Sequence, residues 1–345
     1  MTTLPLLQTS KTLEQAEEKT GLVIVNLGTP EGTDFWSVRR YLKEFLSDQR
    51  VIEVNPILWK LILNLFILTF RPSKTAKAYK AVWRQDTNES PLRYYTRKQG
   101  EKLASALSNH KGVEVSWAMR YGSPSLKEVL HDLEQKGCKR LVVLPLYPQY
   151  SATTTATVND EVFRCLMKMR WQPTLRIAPP YESHPKYIQA LRNSIMTHLE
   201  TLDWMPEKIF VSFHGVPVEY IEKGDPYKAF CERTFHALQE AMPEKAPPLL
   251  LTFQSRFGPR EWLQPYTDKT LEALAQDGLK KVAVIAPGFA SDCIETLEEI
   301  QIEACEIFEK AGGTHFTQIP CLNDNEDAIS LLAELSKNSL GGWIE

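Results

Sequence analysis

Two stretches of the chain repeat one another, and this duplication constrains the fold more than any other feature. Gly21-Leu22-Val23-Ile24-Val25-Asn26-Leu27-Gly28-Thr29-Pro30 carries an apolar run into a Gly-x-Pro turn, and Ile209-Phe210-Val211-Ser212-Phe213-His214-Gly215-Val216-Pro217 has the same form. Aligning Gly28 with Gly215 pairs Pro30 with Pro217 and sets Leu27 opposite His214. A second pair, Ser116 to Gly122 and Leu251 to Gly258, ends each time in Arg-aromatic-Gly. Each is followed by an amphipathic helical pattern, a glycine, a basic pair and another apolar run. The first copy has Leu126 to Gln135, Gly137, Lys139-Arg140 and Leu141 to Pro145; the second has Leu271 to Gln276, Gly278, Lys280-Lys281 and Val282 to Pro287. Short apolar runs bounded by turn residues read as buried strands, and strands alternating with helices read as parallel α/β units. The predicted fold is α/β, with two similar lobes built on parallel sheets and a ligand cleft between them.

The run ending at His214 stops abruptly at His-Gly-x-Pro, which places the histidine at a strand's carboxyl end. In open α/β sheets ligands bind at that edge, because the loops leaving the strands form a crevice there. A core histidine satisfied by a backbone carbonyl fits this stretch equally well.

The first half is longer. The span from Gly28 to Gly122 is more than twice that from Gly215 to Gly258, so the first half carries an insertion, at about residues 45–95. Within it, Pro56 to Phe70 is the most apolar stretch of the chain, followed by Arg71, Lys74, Lys77 and Lys80. It is broken by Lys60 and Asn64 and falls short of the roughly 20 residues a membrane span needs. A buried core helix is one reading. The preferred one is an apolar lip with a cationic rim, exposing Leu61, Leu65 and Leu68 to a membrane or an apolar ligand. The boundaries that follow are a disordered N-terminus at 1–20, a first lobe at 21–180, a second at 181–321, and a C-terminal helix at 322–345 packing on the first lobe.

After the last strand of the second repeat comes Pro287-Gly288-Phe289-Ala290-Ser291-Asp292-Cys293-Ile294-Glu295-Thr296-Leu297-Glu298-Glu299. With Ser291 or Asp292 as N-cap, helical spacing puts Asp292, Glu295, Glu299 and Glu303 on one side. A solvated helix face would account for such a row. Like charges at this spacing repel, however, unless a cation or protons lie between them. A histidine facing a carboxylate suits a weakly held divalent metal or a proton relay better than a structural zinc.

Other chemistries lack their signatures. There is no G-x-G-x-x-G, no Walker-type loop and no G-x-S-x-G elbow. A net charge of −3 in 345 residues, with a pI near 6.2, gives no support for a nucleic-acid partner. Cys138, Cys165, Cys231, Cys293, Cys305 and Cys321 include no C-x-x-C pair, so a reducing compartment fits. Met1 to Thr20 shows no secretory signal, and a cytoplasmic location is expected.

Ser-Phe-His-Gly-Val-Pro at 212–217, continuing to Lys-Gly-Asp-Pro-Tyr at 223–227, resembles the signature of ferrochelatases. So do Leu-Pro-Leu-Tyr-Pro-Gln-Tyr-Ser at 144–151, Gln-Ser-Arg-Phe-Gly-Pro at 254–259 with Trp262, and Ser-Asp-Cys-Ile-Glu-Thr-Leu-Glu-Glu at 291–299. The resemblance runs from about Gly21 to about Cys321. It implies the chelatase fold, two Rossmann-like lobes clamping a porphyrin, and insertion of Fe²⁺ into protoporphyrin IX as the terminal step of haem synthesis. His214 and Glu295 match the family's metal-site pair, and Asp292 and Glu299 its acidic relay. Leu27, Arg120, Tyr121 and Phe289 match positions facing the macrocycle, Arg71 and Ser90 positions near the propionates, and Trp262 is carried over as a further porphyrin contact. Cys293 stands where some members have histidine. No cysteine follows Cys321, so no iron–sulfur cluster is expected and no resident cofactor is required; iron is a substrate. Reversible contact with the inner face of the membrane is expected from the lip. A chelatase for coproporphyrin or cobalt, and a non-catalytic two-lobed tetrapyrrole-binding protein, remain alternatives at this point.

Overall fold

The computed structural model describes residues 19–344. Most of the expected disordered terminus therefore lies outside the described residues, but Lys19 and Thr20 already belong to the first strand, where Thr20 is buried.

Eight strands form two parallel sheets. The first contains β1 (Lys19–Gly28), β2 (Val113–Tyr121), β3 (Cys138–Pro145) and β4 (Thr174–Ile177), in the order β2-β1-β3-β4. The second contains β5 (Lys208–His214), β6 (Leu249–Gln254), β7 (Lys281–Ile285) and β8 (His315–Ile319), in the order β6-β5-β7-β8. The two orders are the same permutation, so the duplicated pattern is a duplicated topology. In each sheet the strand that feeds the Gly-x-Pro turn is central, and Leu22 to Val25 and Ile209 to Phe213 are buried. Strands covered on both faces carry such continuous apolar runs. Parallel neighbours need helical crossovers. Leu126–Gln135 supplies one, opened by a capping box between Ser125 and Glu128, and Thr267–Gln276 supplies its counterpart.

Glycine at the first turn is a steric requirement. Gly28 has φ +116°, and a Cβ there would lie 1.8 Å from the Tyr121 carbonyl oxygen of the neighbouring strand.

The lobes are joined by packing. One apolar cluster contains Leu22, Ile24 and Val142 of the first sheet together with Val211, Phe213 and Ile285 of the second. The C-terminal helix Glu326–Leu340 lies against helix Pro91–Ala106 and β3 on one side and helix Pro185–Glu200 on the other. Two of the singled-out sequence motifs meet here as well: the Asp225 carboxylate accepts from the Ser151 hydroxyl at 2.9 Å and the Ala152 N–H at 2.7 Å.

The extra chain of the first lobe includes a bent helix running through Pro56–Ile62, a π-helical turn at Leu63–Ile67, and Leu68–Val82. Pro72 has no N–H to give the Leu68 carbonyl, and Arg39 Nε donates to that oxygen instead, at 3.2 Å.

Candidate active site

The site is built at the carboxyl edge of the second sheet. In β5 the Ser212 side chain is buried, and its hydroxyl donates to Gln254 Oε1 at 2.8 Å. The next outward position is His214, half-buried and in register with Gln254 of β6. Its Nδ1 lies 2.6 Å from the Gly215 carbonyl oxygen. A carbonyl only accepts, so Nδ1 carries a proton and Nε2 is the nitrogen left to give or take one. Both readings of this histidine are thus partly met: one nitrogen is satisfied by backbone and the other is left for chemistry. Gly215 is confined, since a Cβ would come within 3.0 Å of the Gln254 carbonyl and 3.3 Å of the Trp262 ring.

Gln254 also carries the link to the acidic segment. Its Nε2 donates to the Glu295 carbonyl at 2.8 Å. His214 is therefore beside Gln254 in the sheet, and Glu295 is docked on that same side chain. The Phe289 ring stands 6.4 Å from the His214 ring, centroid to centroid.

The acidic row differs from its expected form in two ways. Cys293, not Ser291 or Asp292, is the N-cap of the short helix Ile294–Leu297, and the following Glu299–Ala304 turn is π-helical. Asp292 is only 4% exposed, and its carboxylate accepts from the Thr296 hydroxyl, the Gln318 and Asn323 amides and the Cys321 N–H. It anchors the segment to β8 and the chain that follows, with three of the four bonds on Oδ1 and one on Oδ2. Glu295 and Glu299 are half-buried and Glu303 is exposed, so the remaining carboxylates run from the sheet edge to solvent. Burial, reinforced by the nearby Glu295 charge, pushes Glu299 up to about 8, and the Ser255 hydroxyl donates to its Oε2. Burial likewise keeps the Cys293 thiol well above its ordinary range, as S–H beside Glu295.

The expected porphyrin positions divide. Leu27, Phe289 and Trp262 are half-buried, and Trp262 Nε1 donates to the Phe257 carbonyl at 2.9 Å. Arg71 reaches from the bent helix to the second lobe, its guanidinium 4.5 Å from the Phe257 ring centroid. Burial draws its pKa down while the Glu299 carboxylate opposes that shift. Three further positions carry structural hydrogen bonds. Ser90 is buried as the N-cap of helix Pro91–Ala106, its Oγ accepting from the Arg93 N–H at 3.2 Å. Tyr121 is fully buried and donates its hydroxyl to Asp48 at 2.9 Å. Arg120 is also buried, donating to the same Asp48 carboxylate and to the Thr157 carbonyl. All three bond within the first lobe, and Arg120 and Tyr121 together with Asp48 also line a cavity there.

The lip alternative is decided by exposure. Pro56–Ile62 has no buried side chain, Ile57 is 77% exposed and Phe70 73%, and Leu58, Leu61, Leu65 and Phe66 are exposed with them. Leu68 is the exception to the expected face; it is wholly buried in a cluster with Val38, Tyr41 and Leu42. Among the described residues no helix is long and apolar enough to cross a membrane.

The ferrochelatase family profile matches residues 19–340. A ferrochelatase of Allorhizobium ampelinum is 56% identical over 326 residues, covering 94% of this chain and 95% of that one. A ferrochelatase of Rhodopseudomonas palustris is 54% identical over 341 residues, covering 99% of each. The chain belongs to the ferrochelatase family. Among solved structures, SirB from Bacillus subtilis with Fe³⁺ superposes with a TM-score of 0.57 at 11% identity, over 94% of this chain and 97% of that one. At that identity the likeness concerns the fold, and it places this ferrochelatase-family chain among proteins of chelatase architecture.

Two residues that hold this ferrochelatase site in place were not anticipated from sequence. Gln254 and Ser255 lie in the Gln-Ser-Arg-Phe-Gly-Pro motif, one contacting Glu295 and the other Glu299. Their position at the end of the strand beside β5 is the signal that identifies them. Asp48, which receives both Arg120 and Tyr121, has no comparable local signal.

Proposed function

We propose that this chain inserts Fe²⁺ into protoporphyrin IX in the cleft between its lobes, releasing two pyrrole protons, and that His214 and Glu295 handle the ion and the first proton. The observation that supports this reading is that Gln254, beside His214 in the sheet, binds the Glu295 main chain, which brings an imidazole with its Nε2 uncommitted and an acidic residue to one sheet edge. A free-base porphyrin must lose two N–H protons as the metal enters, and an imidazole nitrogen facing the cleft is a group able to accept one. Glu299, which burial and the Glu295 charge push towards the protonated form, lies next on the way out, with exposed Glu303 beyond it. Protons leave along that row.

The lip favours protoporphyrin over coproporphyrin. Protoporphyrin has two propionates and an otherwise apolar rim, so it partitions into membranes. An exposed apolar helix with Lys60, Lys74, Lys77 and Lys80 exposed along it suits an enzyme that collects substrate at an anionic bilayer surface, each charge being worth about 1 kcal/mol there. This reading puts the enzyme in the cytoplasm, in reversible contact with the inner face of the membrane. On this reading iron is a substrate, and residues 322–345 offer no cysteine to hold an iron–sulfur cluster.

The test is loss of porphyrin fluorescence on adding Fe²⁺ anaerobically, with protoporphyrin IX and coproporphyrin III as parallel substrates. Preferential conversion of protoporphyrin supports the reading. Preference for coproporphyrin, or binding without metallation, overturns it.

A further inference from the structure

The turn that carries His214 also reaches across to the other lobe. Gly215 N–H donates to the Gln254 carbonyl at 2.7 Å, and the Val216 carbonyl and Val218 N–H pair with Leu263 and Glu261, so the turn is stitched to its own sheet. The helix that follows, Val218–Glu222, presents Tyr220, which is 4% exposed. The Tyr220 hydroxyl donates to the Val51 carbonyl at 3.1 Å and accepts from the Glu53 N–H at 3.2 Å. Both partners are backbone groups of the first lobe. Arg260 adds a bond from Nη2 to the Glu53 carbonyl at 3.1 Å, and Lys223 pairs with the Glu53 carboxylate at 2.9 Å. At the near end of the same segment, Asp48 is held by Arg120 and Tyr121. Residues 48–53 are therefore gripped from both lobes.

This grip lies immediately before Asn55, the N-cap of the lip helix. Because Pro56–Ile62 has no fully buried side chain, its first turns draw little positional restraint from packing beyond Trp59, which is half-buried against the Val38, Tyr41 and Leu42 cluster and whose indole donates to the Leu46 carbonyl. The angle at which the lip leaves the protein is then set at its root. We propose that Tyr220 is a positioning residue which fixes the lip root relative to the His214 turn, and so sets the opening through which porphyrin enters. It touches neither the ion nor the macrocycle. The inference rests on reading the exposed helix as the mouth of the porphyrin cleft.

Tyr220→Phe tests it, since the ring stays in place and what is lost is the two backbone bonds and a longer one, 3.4 Å, that the hydroxyl accepts from Arg260 Nη1. The expected result is a rise in KM for protoporphyrin of about fivefold, the scale of one or two lost hydrogen bonds, with kcat and KM for Fe²⁺ within about twofold of wild type. Amide hydrogen exchange should quicken in the peptide covering residues 49–62 and stay unchanged in β5. Arg260→Gln should move both readouts in the same direction by less. Unchanged KM for protoporphyrin, a fall in kcat alone, or exchange quickened equally in both sheets would overturn the proposal, the last because it would make Tyr220 an ordinary packing residue. Liposome binding separates this from the lip reading itself: Tyr220→Phe should retain it. If serine substitutions on the exposed lip leave protoporphyrin KM and liposome binding untouched while Tyr220→Phe still raises KM, the membrane lip is wrong and the root clamp stands.

Discussion

The side-chain amide of Gln254 holds the main chain of Glu295, with Nε2 donating to the Glu295 carbonyl at 2.8 Å while Oε1 accepts from buried Ser212. Both ends of the amide are therefore committed, and the glutamine cannot turn without leaving a buried group unpaired. Because Gln254 also sits beside His214 in the sheet, it sets the spacing of the two groups proposed to act on the metal.

Gln254→Met keeps the volume and removes both bonds. Turnover should fall by at least about tenfold, since small misplacements of reacting groups are costly, while melting drops by only a few degrees. Steady-state assays and thermal melts check this; unchanged turnover would show that Glu295 needs no such anchor.

His214→Ala should leave the fold intact, since the side chain is half-buried and bonded only to the adjacent carbonyl, and should reduce turnover on the order of 10²-fold or more. Glu295→Gln should fall similarly, because it removes the charge at nearly constant shape. Glu299→Gln should be milder, one turn further from the sheet edge. Circular dichroism with porphyrin-fluorescence kinetics on all three decides the ranking, and near-normal turnover in folded His214→Ala would remove the histidine from the mechanism.

Glu299 also gives stability a pH dependence of known sign. Its folded pKa is raised from 4.5 to about 8, so its contribution is fully present below the ordinary value and is lost as pH climbs towards 8, where the unfolded chain is ionised and the folded one still holds its proton. Glu299→Gln lacks this loss. The variant's melting temperature relative to wild type should therefore rise between pH 5 and pH 8.5, by on the order of 5 °C. A difference that stays constant across that range would mean the carboxyl is not raised in the folded protein.

On the lip, serine at Leu61, Leu65 and Phe66 should weaken liposome binding and raise KM for protoporphyrin more than it lowers kcat, with little change in melting because all three are exposed. Leu68→Ser is the contrasting variant. That side chain is core, and its replacement should destabilise the protein by about 2–4 kcal/mol without a selective effect on porphyrin capture. Vesicle co-sedimentation, kinetics and melts on the two variants separate surface from core.

Much of this was written locally in the chain. Leu22 to Gly28 and Ile209 to Gly215 announce central strands ending in tight turns because an apolar run and a turn residue are adjacent in sequence, and neighbours along the chain are what periodicity reports. The repeat of that signal is enough to require two like sheets. Ser90, followed by Pro91, is an N-cap pattern that could have been read directly from the chain.

What the tertiary structure decided involves partners far apart in sequence or a break in period. Leu61, Leu65 and Leu68 share a stripe at 3.6 residues per turn, but the π-helical turn at Leu63–Ile67 shifts the phase, and Leu68 turns inward. Asp292 resembles its neighbours Glu295 and Glu299 in sequence, yet its carboxylate accepts from Gln318 in β8 and from Cys321 and Asn323 just beyond it. Gln254 reaches Glu295 across 41 positions, and Tyr220 reaches Val51 across 169. The sequence by itself determined the duplicated α/β architecture, the strand-end histidine and the one-sided carboxylates, because each follows from short-range pattern. Which of those side chains stay free to act, and which are consumed in holding the lobes together, was decided only by the folded chain, because hydrogen-bond partners are assigned by proximity in space.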